Sequence, residues 1–446
     1  MKFLVIGGDA AGMSAASRAK RSNSDMEVTV LEKTHDVSYS ACGMPYNIAE
    51  KERKIEDLVV RQACVFREKQ GINLLTGHLV EKIDPIDKKV YGTTDQEKAF
   101  EFSYDKLLIA TGGSPIIPDF PGFDLPGVMA LKSLDHGRRI KAYIKENNVR
   151  KVVVIGMGYI GLEMCEAFRK QSIEVNMVKP GPVFLPWMAQ ELSDIVQKEI
   201  ECYDVQIHPG YPIEKIEPNG KSLNVICQRL ILEADMVLVA IGIKPNSELA
   251  VNAGIKTGIN HSIAVGRQLL TSDNNIYAAG DCADAYHVVT GEKTWIPLAL
   301  RANRAGWAVA DNISGKNMEL PGIVGTAVFK VFDLEVARTG LTEKEVKNYG
   351  FDPVSVTIKT RSRAHAHPGS STIRVHMVGD KRTGRLLGAQ MVGKEGVAHR
   401  INALAVALHS HMTVAQFCQT DLGYAPPFGP VWDPLLTAAN QLLKNI

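Results

Sequence analysis

Two short stretches constrain this chain more than anything else in it. "KFLVIGGDAAGMSAASRAKR" begins at Lys2 and "KVVVIGMGYIGLEMCEAFRK" at Lys151. Each passes from a β-rich apolar run through glycines into a helix with small residues on its packing face. Each is followed by a second strand-like run, "EVTVLEK" and "EVNMVK". Strand, glycine turn, helix and strand make a βαβ unit, so the chain predicts an α/β fold with two Rossmann-like dinucleotide-binding units. The apolar runs "KLLIATGG", "MVLVAIG" and "NIYAAGD" read as further buried strands of parallel sheets. From residue 325 the texture changes. "GTAVFKVFDLEVARTG", "VSVTIKT", "STIRVHMV" and "RLLGAQMVG" read as an antiparallel sheet, with "GVAHRINALAVALHS" and "DPLLTAANQLLK" as helices packed on it.

A dinucleotide fingerprint needs one glycine for the tight turn, one where backbone meets pyrophosphate, and one for helix–strand packing. An acidic residue about 20 positions on takes the ribose hydroxyls. The second unit supplies Gly156, Gly158 and Gly161. The first has Gly7 and Gly12, with Asp9 in the middle slot and Glu32 at the ribose position. A carboxylate against a pyrophosphate repels it, so Asp9 is expected to point away. The second unit ends in Lys179 where the acidic residue is expected. Lysine removes the repulsion of a 2′-phosphate, so NADPH is expected to be accepted beside NADH. In "NIYAAGDCADA", Gly280 and Asp281 follow a strand and can aim a carboxylate at a flavin's sugar-alcohol chain. One dinucleotide is then FAD and the other NAD(P)H.

Composition excludes several alternatives. At 446 residues the chain exceeds one ordinary domain, and 45% hydrophobic with 22% charged residues is a soluble globular balance. A formal net charge of +2 gives no field for nucleic acid or an anionic membrane. No apolar run is long enough to span a bilayer, and the start is too short for a signal-peptide core. The seven cysteines are scattered, with no C-x-x-C, so neither a metal site nor a disulfide framework is expected. The odd count fits a reducing cytoplasm. Cys42, in "SYSACGMPY", stands without a close partner.

These segments, with "IATGGSP", "TGEKTWIPLALRANRAG" and "TDLGYAPPFGPVWDPL", make the chain resemble the flavoprotein pyridine nucleotide–disulfide oxidoreductases along its whole length. Within them it is similar to the single-cysteine branch: coenzyme A-disulfide reductase, NAD(P)H sulfur or polysulfide reductase, NADH oxidase and peroxidase. The resemblance implies an FAD domain in two parts (1–117 and 248–324), an NAD(P) domain between them (118–247) and a C-terminal α+β dimerisation domain (325–446). It implies that Cys42 lies at the flavin and stores electrons as a mixed disulfide, persulfide or sulfenic acid, its thiol made more acidic by a helix start, with Gly43 leaving room beside the ring.

The resemblance also distributes further roles. Gly8, Ala11, Lys33, Val80, Thr111, Gly112, Ile160, Gly242, Pro297 and Ala299 join the dinucleotide sites, Tyr159 is an aromatic gate over the flavin, and Glu163 orders that site. Ser14, Arg18, Arg21, Ser38, Lys69, Asn303 and Trp432 belong to the substrate side, where cations suit the phosphates of coenzyme A. Tyr424, of "YAPPF", and His367, of "RAHAHPG", are implied to serve the Cys42 of a second copy in a homodimer. Oxidases and peroxidases of the branch carry a histidine where this chain has Ala10, which favours a disulfide, persulfide or polysulfide as substrate. NADH oxidase remains an alternative, as does a redox-sensing flavoprotein that binds a protein partner.

Overall fold

The computed structural model describes residues 1–446. Each glycine unit nucleates a five-stranded parallel sheet. In the first, Lys2–Ile6 is central, flanked by Glu27–Glu32 and Asn73–Thr76 on one side and by Lys106–Ile109 and Ile276–Ala278 on the other. In the second, Lys151–Ile155 is central, with Glu174–Lys179 and Val205–Pro209 to one side and Met236–Val239 and Val128–Ala130 to the other. All these strands are parallel and mostly buried, which is why they read as unbroken apolar runs. In both sheets the glycine turn leaves the central strand where the connections diverge to opposite sides, the crevice in which α/β sheets bind ligands.

The chain leaves the first sheet for the second and returns. The two crossings pair as an antiparallel ribbon, Gly113–Pro115 with Ile243–Pro245. After the return, the helix Ala299–Ile313 packs on the first helix, Ala10–Ser22. The approach is so close that a Cβ on Gly306 would overlap the Ala11 carbonyl oxygen. Two antiparallel three-stranded sheets, His78–Asp84 with Lys89–Thr94 and Ala99–Ser103, and Ile213–Asn219 with Ser222–Cys227 and Leu230–Ala234, were not foreseen from the apolar runs.

The C-terminal region is the antiparallel sheet the sequence indicates, in the order Ala327–Val331, Leu334–Gly340, Leu386–Gly393, Thr372–Asp380, Pro353–Arg361. Helices Val397–His409 and Pro434–Leu443 cover it. No helix is long and apolar enough to cross a membrane. Its first hairpin is welded to the second parallel unit, because Phe329, Val331, Phe332 and Leu334 share one buried cluster with Leu162, Phe168 and Val196. Glu166 pins this seam. Its carboxylate accepts the Phe332 amide at 2.8 Å and pairs with Lys330 at 2.9 Å and Lys170 at 2.8 Å. Burial pushes the Glu166 carboxyl up, but the two lysines outweigh it and hold it below the ordinary carboxylate range.

A carboxyl held low in the folded state stabilises the fold at every pH above its unfolded value, and that contribution is lost as pH falls through the folded value. Glu166→Gln is therefore expected to lower stability at neutral pH by about 1–3 kcal/mol. The difference should shrink in acid. Urea midpoints of the two proteins at neutral and acid pH check this; equal midpoints at neutral pH would show that the seam does not depend on the charge.

Candidate active site

The two glycine turns differ in what surrounds them. At Gly7 (φ +109°) a Cβ would overlap the Ala110 carbonyl oxygen, and at Gly12 it would overlap that of Gly7. These glycines serve close packing of helix on strand. Gly156 (φ +109°) and Gly161 repeat the arrangement, with the Gly161 position 2.7 Å from the Gly156 oxygen. Gly158 and Gly112, by contrast, have nothing within 4 Å of the Cβ position. Gly158 is at a helix N-terminus, and the open space over it is a cradle that a side chain would fill and that suits a pyrophosphate.

Around the first turn, Glu32 accepts the Gly8 amide at 2.7 Å and the Thr34 amide and hydroxyl at 2.8 Å. Asp9 heads the first helix without a capping hydrogen bond. Burial pushes its carboxyl up to about 6, opposed by the Tyr39 amide and Lys132 and reinforced by Glu32 and Asp281. A carboxyl that gains a proton near neutrality offers less repulsion to a pyrophosphate than the sequence implies. Asp281, after Gly280 (φ +89°), pairs with Lys132 at 2.8 Å. Thr111 donates to the Asn246 carbonyl at 2.6 Å, and Gly242 has φ +124°. Val80 is buried in the first core, Lys33 is exposed, and Ala299 opens the helix that follows Pro297. The donor and cradle set fits a flavin dinucleotide at the first turn. The second turn offers the same backbone without a carboxylate at its strand end.

Cys42 sits in the single turn Ala41–Gly43, just before the short helix Met44–Ile48. The segment is braced by the Ser40 amide on the Leu58 carbonyl at 2.8 Å and by Lys141, which donates to the Asn47 carbonyl at 3.1 Å. Two expectations are corrected here. A Cβ on Gly43 would meet Leu58 at 2.7 Å, so this glycine makes room for Leu58. The Cys42 thiol is held above its ordinary range, not below it: burial pushes it up, Glu163, Asp281 and Asp9 add to that, and Lys132 opposes. Burial is the largest of these effects, and the helix Met44–Ile48 is only five residues long.

The other predicted residues fall into three groups. Ile160 and Glu163 lie on the helix Tyr159–Lys170, where Glu163 accepts the Tyr46 hydroxyl at 2.9 Å. Tyr159 packs into an aromatic cluster with Phe329 at 4.8 Å and Trp187 at 5.4 Å, and Arg338 lies 5.5 Å over the Trp187 ring. The presumed gate is thus lodged against the C-terminal hairpin. On the substrate side, Ser14 donates to Asn303 at 2.6 Å, joining two predicted residues across the helix pair. Arg18 departs from expectation: it is committed to the buried Asp311 by two bonds of 3.0 and 2.7 Å and lies 5.4 Å over Trp307. Arg21 and Lys69 are exposed, and Ser38 is held at φ +49°. Near the C-terminus, the Ala364 amide donates to the Pro426 carbonyl at 3.1 Å, which ties the His367 turn to the "YAPPF" segment. There Tyr424 (50% exposed), Phe428 (78%), Val431 (66%) and Trp432 (62%) form an apolar run without cover in one chain. Tyr46, Lys132, Trp187, Phe329 and Arg338 were missed; of these, Lys132 and Trp187 lie outside the quoted stretches.

Comparison with known proteins decides the class. Residues 1–306 match the family model for pyridine nucleotide-disulphide oxidoreductases, and residues 326–434 match that family's dimerisation domain. The chain belongs to this family. It is 39% identical over 440 residues to the NAD(P)H sulfur oxidoreductase (CoA-dependent) of Pyrococcus abyssi, covering 98% of this chain and 97% of that one. It is 34% identical to an NADH oxidase of Methanocaldococcus jannaschii, covering 100% and 99%. Among solved structures, an NAD-dependent persulfide reductase from A. fulgidus superposes with a TM-score of 0.96 at 36% identity, covering 100% of this chain and 83% of that one.

Lys179 ends the strand where a ribose-binding carboxylate was expected. Its ammonium donates to the Val183 carbonyl at 2.8 Å and the Phe184 carbonyl at 3.3 Å, so a 2′-phosphate would compete with that loop. Lys179→Glu is expected to reduce kcat/KM for NADPH more than for NADH, by about 1–3 kcal/mol, the range of charge-assisted contacts. Steady-state kinetics with both nucleotides check this; equal effects would confine Lys179 to bracing its own loop.

Proposed function

We propose that the protein is an FAD-dependent NAD(P)H reductase of sulfur–sulfur bonds, acting on coenzyme A disulfide, coenzyme A persulfide or polysulfide through Cys42. The observation that carries this is a free, exposed cysteine among Lys132, Asp281, Asp9 and Glu163, residues that flank both glycine turns. Its sulfur has no second cysteine to share the work, so the substrate must bring the second sulfur. The names of the relatives support the same class, as does Ala10 where a peroxide-cleaving histidine would stand.

The proposed division of the chain (1–117 with 248–324 for FAD, 118–247 for NAD(P), 325–446 for dimerisation) is supported by the paired ribbon at 113–115 and 243–245. Glu32, the Gly7–Gly12 turn, Thr111, Gly112 and Asp281 would hold FAD; Gly156, Gly158, Gly161 and Lys179 would hold the nicotinamide nucleotide. Bound FAD supplies two-electron transfer from nicotinamide to sulfur. The chain's own part is to present Cys42. The Cys42 thiolate attacks R–S–S–R, forming Cys42–S–S–R and releasing R–S⁻. Two electrons then cleave that bond to Cys42–S⁻ and a second R–S⁻. Ser14, Asn303, Arg21, Lys69, Ser38 and Trp432 are proposed to seat the coenzyme, without Arg18, whose charge Asp311 holds. A homodimer is supported by the exposed Tyr424–Trp432 run and by the family's dimerisation domain. The seven free cysteines suit a reducing compartment, and the cytoplasm is the proposed location. The NADH oxidase reading is carried by the Methanocaldococcus relative's name; steady oxygen consumption without a sulfur substrate would favour it.

Cys42→Ser is expected to retain FAD and to let NAD(P)H bleach it, while sulfur-substrate reduction falls to background. Reduction at the parent rate would end the proposal. A mixed dimer of one Cys42→Ser subunit and one Tyr424→Phe subunit tests whether Tyr424 and His367 serve the opposite Cys42. Shared sites leave one of the two sites intact, so activity should exceed the mean of the parent variants. Activity equal to that mean, with subunit exchange shown and Tyr424→Phe impaired alone, would mean each chain serves itself.

A further inference from the structure

Arg18 was expected to meet a phosphate, and its charge is instead held inside the chain. It makes two hydrogen bonds, of 3.0 and 2.7 Å, to Asp311, whose buried carboxylate also takes Lys316 at 3.1 Å. A guanidinium tied in this way still has a planar face to offer. That group lies over the Trp307 ring, 5.4 Å from its centroid. Trp307 is nevertheless 45% exposed. The indole is thus gripped by a buried ion pair on one side and open to solvent elsewhere.

Its surroundings are ordered along two helices. Ser14, Arg18 and Arg21 stand at i, i+4 and i+7 on Ala10–Ser22 and share one face. Asn303, Trp307 and Asp311 stand four apart on Ala299–Ile313. The Ser14 hydroxyl donates to Asn303 at 2.6 Å, and Arg18 meets Trp307 and Asp311 further along both helices, so the two run in the same direction. Gly306, where a Cβ would overlap the Ala11 carbonyl oxygen, lets them close just before Trp307. The seam therefore presents a polar pair, then a fixed indole, and beyond Arg18 the exposed cation Arg21.

We propose that Trp307 is the platform on which the adenine of a coenzyme A substrate stacks, with Arg18 as the positioning residue behind the indole. This inference rests on the coenzyme A chemistry proposed above. It adds the residue that tells a coenzyme A disulfide from a disulfide without the nucleotide. Arg18 covers one face of the ring, so the stacking partner takes the other. A purine suits that face, and the phosphate on its ribose suits the cation Arg21 nearby. The amides of the pantetheine arm suit the polar pair of Ser14 and Asn303, one turn away. Asp311 fixes the guanidinium and the guanidinium fixes the ring, so little rotamer freedom is left to lose on binding. A direct phosphate contact from Arg18 would have to break its ion pair and leave Asp311 buried without that partner, which is costly.

The test compares Trp307→Ala, Trp307→Tyr and Arg18→Lys with the parent, all FAD-loaded, on two substrates. One is coenzyme A disulfide; the other is pantethine, the disulfide of the same thiol arm without the nucleotide. In Trp307→Ala the ratio of kcat/KM for coenzyme A disulfide to that for pantethine should fall about tenfold or more, through KM, within the range for losing one base–aromatic stack. Trp307→Tyr keeps a ring and should recover most of the ratio. Arg18→Lys keeps a charge for Asp311 but no planar group, so its ratio should fall too. A parental ratio in Trp307→Ala overturns the platform, and a parental ratio in Arg18→Lys overturns the positioning role. Calorimetric titration with reduced coenzyme A separates this inference from the activity. The parent should bind it, and Trp307→Ala about tenfold more weakly; equal affinities, or no binding by the parent, overturn the platform. A parent that binds coenzyme A but reduces no sulfur substrate sinks the functional proposal and leaves the platform to the binding comparison. If Trp307→Ala sediments as a monomer with parental affinity for coenzyme A, the indole serves a second copy of the chain and the platform is overturned.

Discussion

The structure depends on two carbonyl contacts that only glycine permits. Gly7 lies against the Ala110 oxygen and Gly156 against that of Ala240, each at φ +109°. The contact brings the turn after the central strand against the turn after its neighbour, and it directs each following helix back across its sheet. A side chain at either place would push the helix start away from the strand ends. The positions over Gly112 and Gly158 are open, with nothing within 4 Å of a Cβ there. Gly158 caps the helix Tyr159–Lys170, and backbone amides at an open helix start favour anions without any charged side chain.

A second constraint joins the cradles to the rest of the chain. The helix that begins at Tyr159 carries Glu163 to the Tyr46 hydroxyl and, one turn on, Glu166 into the seam with the C-terminal hairpin. Its N-terminal Tyr159 packs against Phe329 of the same hairpin. One helix therefore faces the second glycine turn, the helix after Cys42 and the dimerisation domain along its length. A shift of the C-terminal domain would move all three together, because the buried cluster beneath them is continuous.

Much of this was legible in the sequence, and the division has a physical reason. Local signals survived: both βαβ units, the C-terminal antiparallel strands, and Glu32 at the end of its strand. Each depends on residues a few positions apart. What stayed hidden depends on distant partners. Lys132 and Asp281 are 149 positions apart, Tyr46 and Glu163 are 117 apart, and Arg18 meets Asp311 across 293. Arg18 looked like a free cation on an amphipathic helix because nothing nearby in sequence reveals the buried carboxylate it answers. The thiol of Cys42 was misjudged for the same reason: the helix start is visible locally, while the burial and the carboxyl groups that raise it are not. The hairpin sheet from His78 to Ser103 was harder to find, because a bulge between Val80 and Lys82 breaks the apolar–polar alternation of "HLVEKID".

The field around Cys42 bears on how a lone cysteine can work here. Burial acts most strongly against its ionisation, three carboxyl groups add to that, and the one lysine opposing them is already paired with Asp281. A free thiolate is therefore the disfavoured form of the sulfur, whereas a sulfur held in an S–S bond carries no charge and escapes the repulsion. Under the proposed chemistry the site leans toward the loaded cysteine, and the bare thiolate becomes the reactive state that the next substrate relieves. A paired-cysteine site has its own second sulfur to stabilise that state. A single-cysteine site must obtain the same bias from its surroundings, and here the carboxylates of Glu163, Asp281 and Asp9 supply it.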